Sequence, residues 1–326
     1  MDFNKEILKI NCNKEIQRIC SFIQKQVIDM KREGIVIGLS GGIDSALSAE
    51  LCVKALGKEK VLALILPEKD SSPVSEKYAK KQAEKLGIET ITIDITPTLE
   101  GFKTYCKRDE VIKKIFPEYD NKCKFNITLP ADLLNRDAYN FFTLKIEDGK
   151  GNVKSVRLKK EELNAIVAAT DTKQRTRMMH LYYYAELKNY LVCGTTNKTE
   201  TLQGFFVKYG DGGVDIEPLA HLYKIQVYQL SKYLGVIKEI ITRNPSPDTF
   251  SFKVSDEEFF FRIPYEKLDL LLYAWENKID ISLVCKTMNL EEQQVNRAFR
   301  DFKAKYSATK HLRQLPPTLL DKPGGG

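Results

Sequence analysis

Over residues 1–33 the apolar positions Ile7, Leu8, Ile16, Ile19, Phe22, Ile23 and Val27 recur at helical spacing, and Gly34 closes the run. This predicts one amphipathic helix over 1–33. IVIGL at 35–39 is a short β-branched run, the pattern of a strand buried on both faces. After SGGIDS comes ALSAELCVKAL, a helix ending at Gly57, and VLALILP at 61–67 reads as a second buried strand. Ser72 and Pro73 fit the cap and first position of a helix that runs to Gly87. IETITIDI at 88–95 predicts a third strand. Strand, helix, strand, helix, strand implies a right-handed, doubly wound parallel sheet.

The pattern weakens over 100–168, where mixed helix and loop surround one hairpin. NFFTLKIED and NVKSVRLK flank the turn DGKG, with Leu144, Ile146, Val156 and Leu158 as alternating apolar positions. The turn lacks the spaced carboxylates of a calcium loop and reads as a plain hairpin turn. Further predicted elements are a helix over 171–189, a fourth strand at 191–196 (LVCGTT), and helices near 218–235 and 256–305. The tail at 318–326 is expected to be disordered. No repeat, low-complexity tract or linker divides the chain, so 1–326 is read as a single domain.

Composition narrows the classes. The 326 residues are 43% hydrophobic and 29% charged, enough for a core and incompatible with wholesale disorder. No apolar run is long enough to span a membrane, and the N-terminus lacks the apolar region of a secretory signal. Seven cysteines, odd in number and never in CxxC spacing, argue for reduced thiols in a cytoplasmic protein and against a disulfide scaffold or structural zinc. The net charge of +7, from 51 basic and 44 acidic residues, does not by itself choose a partner.

Gly38-Leu39-Ser40-Gly41-Gly42-Ile43-Asp44-Ser45 joins a buried strand to a helix N-terminus. Glycines let backbone N–H groups approach a ligand, Ser40 and Ser45 add hydroxyls, and the helix dipole points at the same place. The pattern describes an anion cradle. Asp44 would repel phosphate unless it holds a Mg²⁺ that bridges to phosphate oxygens. Neither GxxxxGK[ST] nor GxGxxG is present. A glycine-rich turn with a capping serine needs no ligand, but two serines and an acid in this strand-to-helix setting favour the cradle.

SGGIDS resembles the pyrophosphate loop of the N-type ATP pyrophosphatases, which adenylate a carboxylate or carbonyl and release pyrophosphate. GTTNKTETLQGFFVKYGDGGVDIEPLAHLYK at 194–224 is similar to the signature of ammonia-dependent NAD synthases. Lys173-Gln174-Arg175-Thr176-Arg177-Met178-Met179 looks like that family's KARxRM helix, and Asn244-Pro245-Ser246-Pro247-Asp248 like its P[ST]AD segment. The resemblance implies a Rossmann-like α/β fold of the adenine nucleotide alpha hydrolase type, with a hairpin insertion at 101–168 and a helical C-terminal region.

It also implies roles. The loop residues Gly38 to Ser45 would hold ATP, with Thr195, Lys224 and Ser246 contacting it. Asp44 and Glu200 would bind Mg²⁺, and Asp44 and Lys224 would be the catalytic pair. Arg175, Lys208, Asp215, His311 and Arg313 would contact deamido-NAD. The implied reaction adenylates that acid and transfers ammonia to it, with no protein nucleophile. The ammonia would be free or delivered by a separate glutaminase, and the family implies a homodimer.

Blander readings stand beside these. Lys208 and Lys224 could be solvated charges, Glu200 a first-turn acid, YGDGG a tight turn, and His180 and His221 structural residues. Arg175 and Arg177 point to different sides at helical spacing, so at most one is expected to face a ligand.

Departures from the family pattern cluster on the side of the acid. The 101–168 segment is longer than in compact members, as a lid or selector or as a decorative or oligomer-forming insertion. Asp171 and Gln174 replace Asn and Ala, and Leu312 replaces a Lys. Phe259, Phe260 and Phe261 read as core or dimer contacts. These changes keep a second acid open, such as a nucleotide-linked sugar acid. Other classes are a tRNA-modifying ATP pyrophosphatase, disfavoured by evenly mixed charges, and a helix-turn-helix at 280–302. Neither nucleic acid nor membrane is the expected partner.

Overall fold

The computed structural model describes residues 3–136 and 140–318. Helix α1 (Cys12–Asp29) begins later than the sequence pattern predicts, because the Asn11 side chain caps it by accepting from Lys14 N at 3.0 Å. Phe3 and Leu8, upstream of that cap, pack into a different core from Ile16, Ile19 and Ile23. Gly34 opens β1 (Gly34–Gly38) rather than closing the helix. Then follow α2 (Ile43–Leu56), β2 (Val61–Ile65), α3 (Pro73–Leu86), β3 (Glu89–Thr92), α4 (Thr96–Gly101) and α5 (Thr104–Ile115). The third strand is half the predicted length, since Ile93 and Ile95 continue past it only by single bonds to Ile65 and Pro67.

The next region forms a separate antiparallel sheet. Its strands are β4 (Lys124–Thr128), β5 (Thr143–Glu147) and β6 (Val153–Arg157), in that order. The hairpin is as predicted, but β4 pairs with β5 and makes a third strand. Leu144, Ile146 and Leu158 are buried; Val156 is 37% exposed, because β6 lies open to solvent along its length.

Helix α6 (Lys160–Lys188) runs well upstream of the expected 171 start, as ELNAIVAAT contains no breaker, and Asn189 ends it at φ 56°. Strand β7 (Tyr190–Cys193) is shorter than expected and leads to α7 (Lys198–Gln203), α8 (Lys224–Leu234) and α9 (Lys238–Ile241). The predicted 256–305 helical region is broken into a π-helical turn (Glu257–Phe261), α10 (Tyr265–Glu276), α11 (Ile281–Met288) and α12 (Glu292–Ala308). Pro264 precedes α10, and Asn289 leaves α11 at φ 53°. Val284, Val295, Ala298 and Phe302 of α11 and α12 are fully buried with α10, so the helix-turn-helix-like segment serves packing.

The main sheet is parallel, in the order β3-β2-β1-β7. Its two faces follow from strand alternation. Ile35 and Ile37 face α1, α2 and α8, whereas Val36, Leu62 and Leu64 face Met178, Leu181 and Ala185 of α6. This is the doubly wound α/β architecture expected from the sequence. The tail expected to be disordered lies, from 319 on, outside the described residues.

Candidate active site

From β1 the chain moves outward to β2 and β3 and then returns to β7 on the other side of β1. That reversal opens a crevice at the carboxyl ends of β1 and β7, where doubly wound folds bind ligands. SGGIDS occupies it. Ser40 Oγ and Ser45 Oγ lie 3.0 Å apart, Ser40 N donates to Ser45 Oγ, and Gly42 N donates to Ser40 Oγ at 3.3 Å. Gly42 caps α2, so the unpaired N–H groups of its first turn face the crevice. Gly41 sits at φ +77°, and a Cβ there would stand 2.2 Å from Ser75 O. The loop therefore needs glycine for both its turn and its fit against α3.

Beside the loop is a buried charge cluster. Lys224, only 2% exposed, donates from Nζ to Asp44 at 2.6 Å and to Glu200 at 3.2 Å. Asn197 ties the acids together: its Nδ2 donates to Asp44 at 2.9 Å, and it forms a reciprocal capping box with Glu200. Burial, opposed by Lys224 and helped by Asp44 and Asp256, pushes the Glu200 carboxyl up to about 8. The paired carboxylates hold Lys224 well above its ordinary range despite its burial. Asp256 is also raised by burial and accepts from Tyr265 at 2.9 Å. Asp44 and Glu200 thus share one ammonium, and a divalent cation would offset the repulsion from Asp44 and Asp256 that helps to raise Glu200. Among the described residues no group of three or more metal-ligating side chains forms a cage. Asp44 and Glu200 can supply one or two ligands and leave the remainder to phosphate and water, the usual mode for Mg²⁺.

A cavity of about 560 Å³ extends from this point. Gly38, Leu39, Ser40, Gly42, Ile43, Asp44, Ser45, Thr195, Glu200, Lys224 and Ser246 line it, together with Arg175 and Lys208. Gly41 stays behind the loop, against α3. Three of the predicted contacts are not brought to the cavity. Asp215 accepts from Val192 N at 2.7 Å and from Tyr182 Oη at 3.0 Å. Arg313 lies over Tyr306 and donates to Thr201 O. His311 contributes its carbonyl, which accepts from Lys208 Nζ at 2.9 Å, while Leu312 reaches the cavity.

Arg177 corrects the expectation that at most one of the two arginines faces inward. Both line the cavity. Arg177 donates to Leu66 O and to Gln174 Oε1, each at 3.0 Å, on the face of α6 that also brings Gln174, Met178 and Leu181 to the cavity. The phenylalanine run packs into core as expected: Phe261 is fully buried, and Phe259 and Phe260 lie at the core's edge, where they also line the cavity and meet Phe205 at ring separations of 5.8 and 4.9 Å. His221 pairs with Glu15 at 2.7 Å, a structural role as read. Asn197 and Asp256 were not singled out from the sequence. The capping pattern NKTE could have exposed the first; the second lies in a stretch read as plain helix. Asp211 of YGDGG is half-buried on the cavity wall, accepts from Val207 N at 3.0 Å, and is pushed up to about 6 by desolvation.

Behind the wall, Lys173 Nζ is enclosed by Glu68 at 2.9 Å, Asp70 at 2.7 Å and Thr249 O at 2.9 Å, and Arg108 of α5 also pairs with Asp70. This network joins β2, α5, α6 and the 249 segment. It holds Asp70 below its ordinary range, through Lys173 and Arg108 acting against burial.

Fold and site together define a doubly wound α/β protein whose SGGIDS loop has the sequence pattern of the ATP pyrophosphatases. The family model for NAD synthase matches residues 15–122 and 117–316. NH(3)-dependent NAD(+) synthetase of Mesorhizobium japonicum is 43% identical over 313 residues, covering 95% of this chain and 97% of that one. The Rhizobium meliloti protein of the same name is 41% identical over 98% of this chain and 95% of its own length. Among solved structures, NMN synthetase from Francisella tularensis superposes with a TM-score of 0.66 at 27% identity, covering 95% of this chain and 99% of that one. NH3-dependent NAD synthetase from Campylobacter jejuni gives 0.63, also at 27% identity, over 95% and 100% of the two chains. The chain belongs to the NAD synthase family.

Proposed function

We infer that this protein is an ammonia-dependent NAD synthase, which adenylates the nicotinate carboxylate of deamido-NAD with ATP and passes the acyl group to ammonia. The observation that carries the reading is the Asp44–Lys224–Glu200 cluster, set against the phosphate loop and opening into a cavity that Arg175 and Lys208 also line.

A carboxylate resists ammonia until one of its oxygens becomes part of a leaving group. In the first step a substrate carboxylate oxygen attacks the α-phosphorus of ATP, and pyrophosphate departs. The loop N–H groups, Ser40, Ser45 and Lys224 face the charge that builds on the phosphates. In the second step ammonia attacks the acyl carbon, AMP leaves with the carboxylate oxygen, and the nitrogen loses a proton. Asp44 and Glu200 would hold Mg²⁺, which neutralises the departing pyrophosphate. With the acid labelled with ¹⁸O in its carboxylate, label is expected in AMP. Label-free AMP would contradict the adenylate route.

We further propose a cytoplasmic homodimer. Met179, Tyr183 and Leu187, spaced by four along α6, are 61, 62 and 65% exposed and form an apolar stripe that a second copy would cover. Among the described residues no helix is long and apolar enough to cross a membrane, and all seven cysteines are free. A monomer by sedimentation at micromolar concentration would contradict the dimer. A separate glutaminase is not needed for turnover in this reading, and ammonium salts should suffice. Because one solved relative is described as an NMN synthetase, nicotinate mononucleotide belongs beside deamido-NAD in the same assay.

A further inference from the structure

The 101–168 segment is sewn into the cavity wall rather than appended to the fold. Along β4, Phe252 N donates to Phe125 O at 2.9 Å, Phe125 N donates to Ser251 Oγ, and Asn126 Nδ2 donates to Lys253 O. Beyond β4, Leu129 N donates to Glu258 O at 3.1 Å, and Arg262 donates to Pro130 O at 2.7 Å. The antiparallel sheet thereby holds the 249–262 segment, which supplies Thr249, Asp256, Phe259 and Phe260 to the cavity. Its own Ile127 and Phe142 line the cavity as well. The Phe142 ring lies 6.0 Å from Phe259, which in turn lies 5.8 Å from Phe205.

The result is a continuous aromatic wall with no hydrogen-bonding side chain of its own. The polar residues that α6 brings to the cavity pair mainly among themselves: Thr170 Oγ1 donates to Ile166 O at 2.9 Å, Gln174 Oε1 accepts from Arg177 at 3.0 Å, and Asp171 pairs with Arg175 at 3.7 Å. Such a wall suits a flat ring and would leave the hydroxyls of a sugar acid unpaired. Buried aromatic pairs favour offset or edge contacts at about these separations.

We propose that Phe142, carried by the insertion, is a specificity-determining residue that packs against the ring bearing the carboxylate, so that the insertion selects an aromatic acid over a sugar acid. This rests on the amide-ligase reading above. Phe142→Ala should raise KM for deamido-NAD about tenfold and leave KM for ATP within about twofold. Phe142→Tyr should restore most of the loss, because the ring is retained. An unchanged KM for the acid, or a rise confined to ATP, would overturn the proposal. So would faster turnover of a uronic acid than of deamido-NAD by the unmodified protein. Should Phe142→Ala fail to fold, Phe142→Leu, which keeps the bulk without the ring, is measured in its place. Absence of any deamido-NAD turnover by the unmodified protein would strike the ligase reading itself, a result separate from any change between variants.

Discussion

Two walls of one cavity are built by different means. The phosphate-loop wall is backbone: glycines, a helix N-terminus and two serines, with one buried cation holding the neighbouring acids. The aromatic wall is side chains: Phe142, Phe205, Phe259 and Phe260, held in place by a small sheet and by Lys305 of α12, whose Nζ donates to Phe260 O at 2.9 Å. Backbone cradles tolerate little variation, since any Cβ enters the space that the ligand or a neighbouring strand requires. Packed rings tolerate exchange for other rings. The first wall is therefore suited to chemistry shared by many enzymes, and the second to the choice of substrate.

This contrast can be broken in order of expected effect. Asp44→Ala should reduce pyrophosphate release about a thousandfold or more with every acid tested, because it removes a carboxylate beside the departing pyrophosphate and a partner of Lys224. Residual activity near that of the unmodified protein would remove Asp44 from the chemistry. Gly41→Ala should weaken ATP binding and lower stability by about 1–3 kcal/mol, since φ +77° and the 2.2 Å approach to Ser75 O cannot both be kept. Calorimetric ATP titration and thermal melting check both effects.

A third prediction concerns the floor beneath the loop wall. Asp269 is fully buried, accepts from Thr199 Oγ1 at 2.6 Å and Ile225 N at 2.8 Å, and is pushed up to about 7 by burial. In the unfolded chain its carboxyl titrates near its ordinary value of about 3.9. Between these values the folded state binds the extra proton, so this group favours folding at low pH and loses that contribution as pH rises from about 4 to 7. Asp269→Asn should flatten that part of the stability–pH curve, as read by urea melts at several pH values. An unaltered slope would contradict the assignment. The smallest effect is expected outside both walls. Gly151→Ala places a side chain at φ +84° in the exposed β5–β6 turn, where a Cβ meets nothing within 4 Å. It should cost about 1 kcal/mol of stability and leave kcat and both KM values unchanged.

The parallel sheet is legible because its central strands β1 and β2 are continuous apolar runs followed by helices with glycine stops, as at Gly57 and Gly87. SGGIDS is legible because backbone chemistry fixes residue type at fixed spacing, and Glu200 is legible through the resemblance of 194–224 to a family signature. Helical spacing separates Arg175 from Arg177, but the cavity spans a wide face of α6 that includes Asp171, Gln174, Met178 and Leu181, so both arginines line it. KFNIT alternates polar and apolar positions, but over only five residues inside a stretch of mixed pattern, and the role of β4 depends on pairing with β5 and on hydrogen bonds to the distant 251–253 segment. That Phe259 and Phe260 meet a cavity as well as core is not legible, because a run of three rings does not reveal which of them borders empty space. Contacts between distant segments, such as Lys173 with Thr249 O or Arg262 with Pro130 O, leave no local signal at either end.

The central claim is that the loop wall and the aromatic wall meet on one substrate, an aromatic carboxylate activated by ATP. Its most direct test is a reaction of the unmodified protein with deamido-NAD, ATP, Mg²⁺ and ammonium, with NAD and pyrophosphate measured together. The account predicts one NAD and one pyrophosphate per acid consumed, with neither formed when ATP or the acid is omitted. ATP converted to ADP and phosphate, or pyrophosphate release indifferent to the acid, would contradict it.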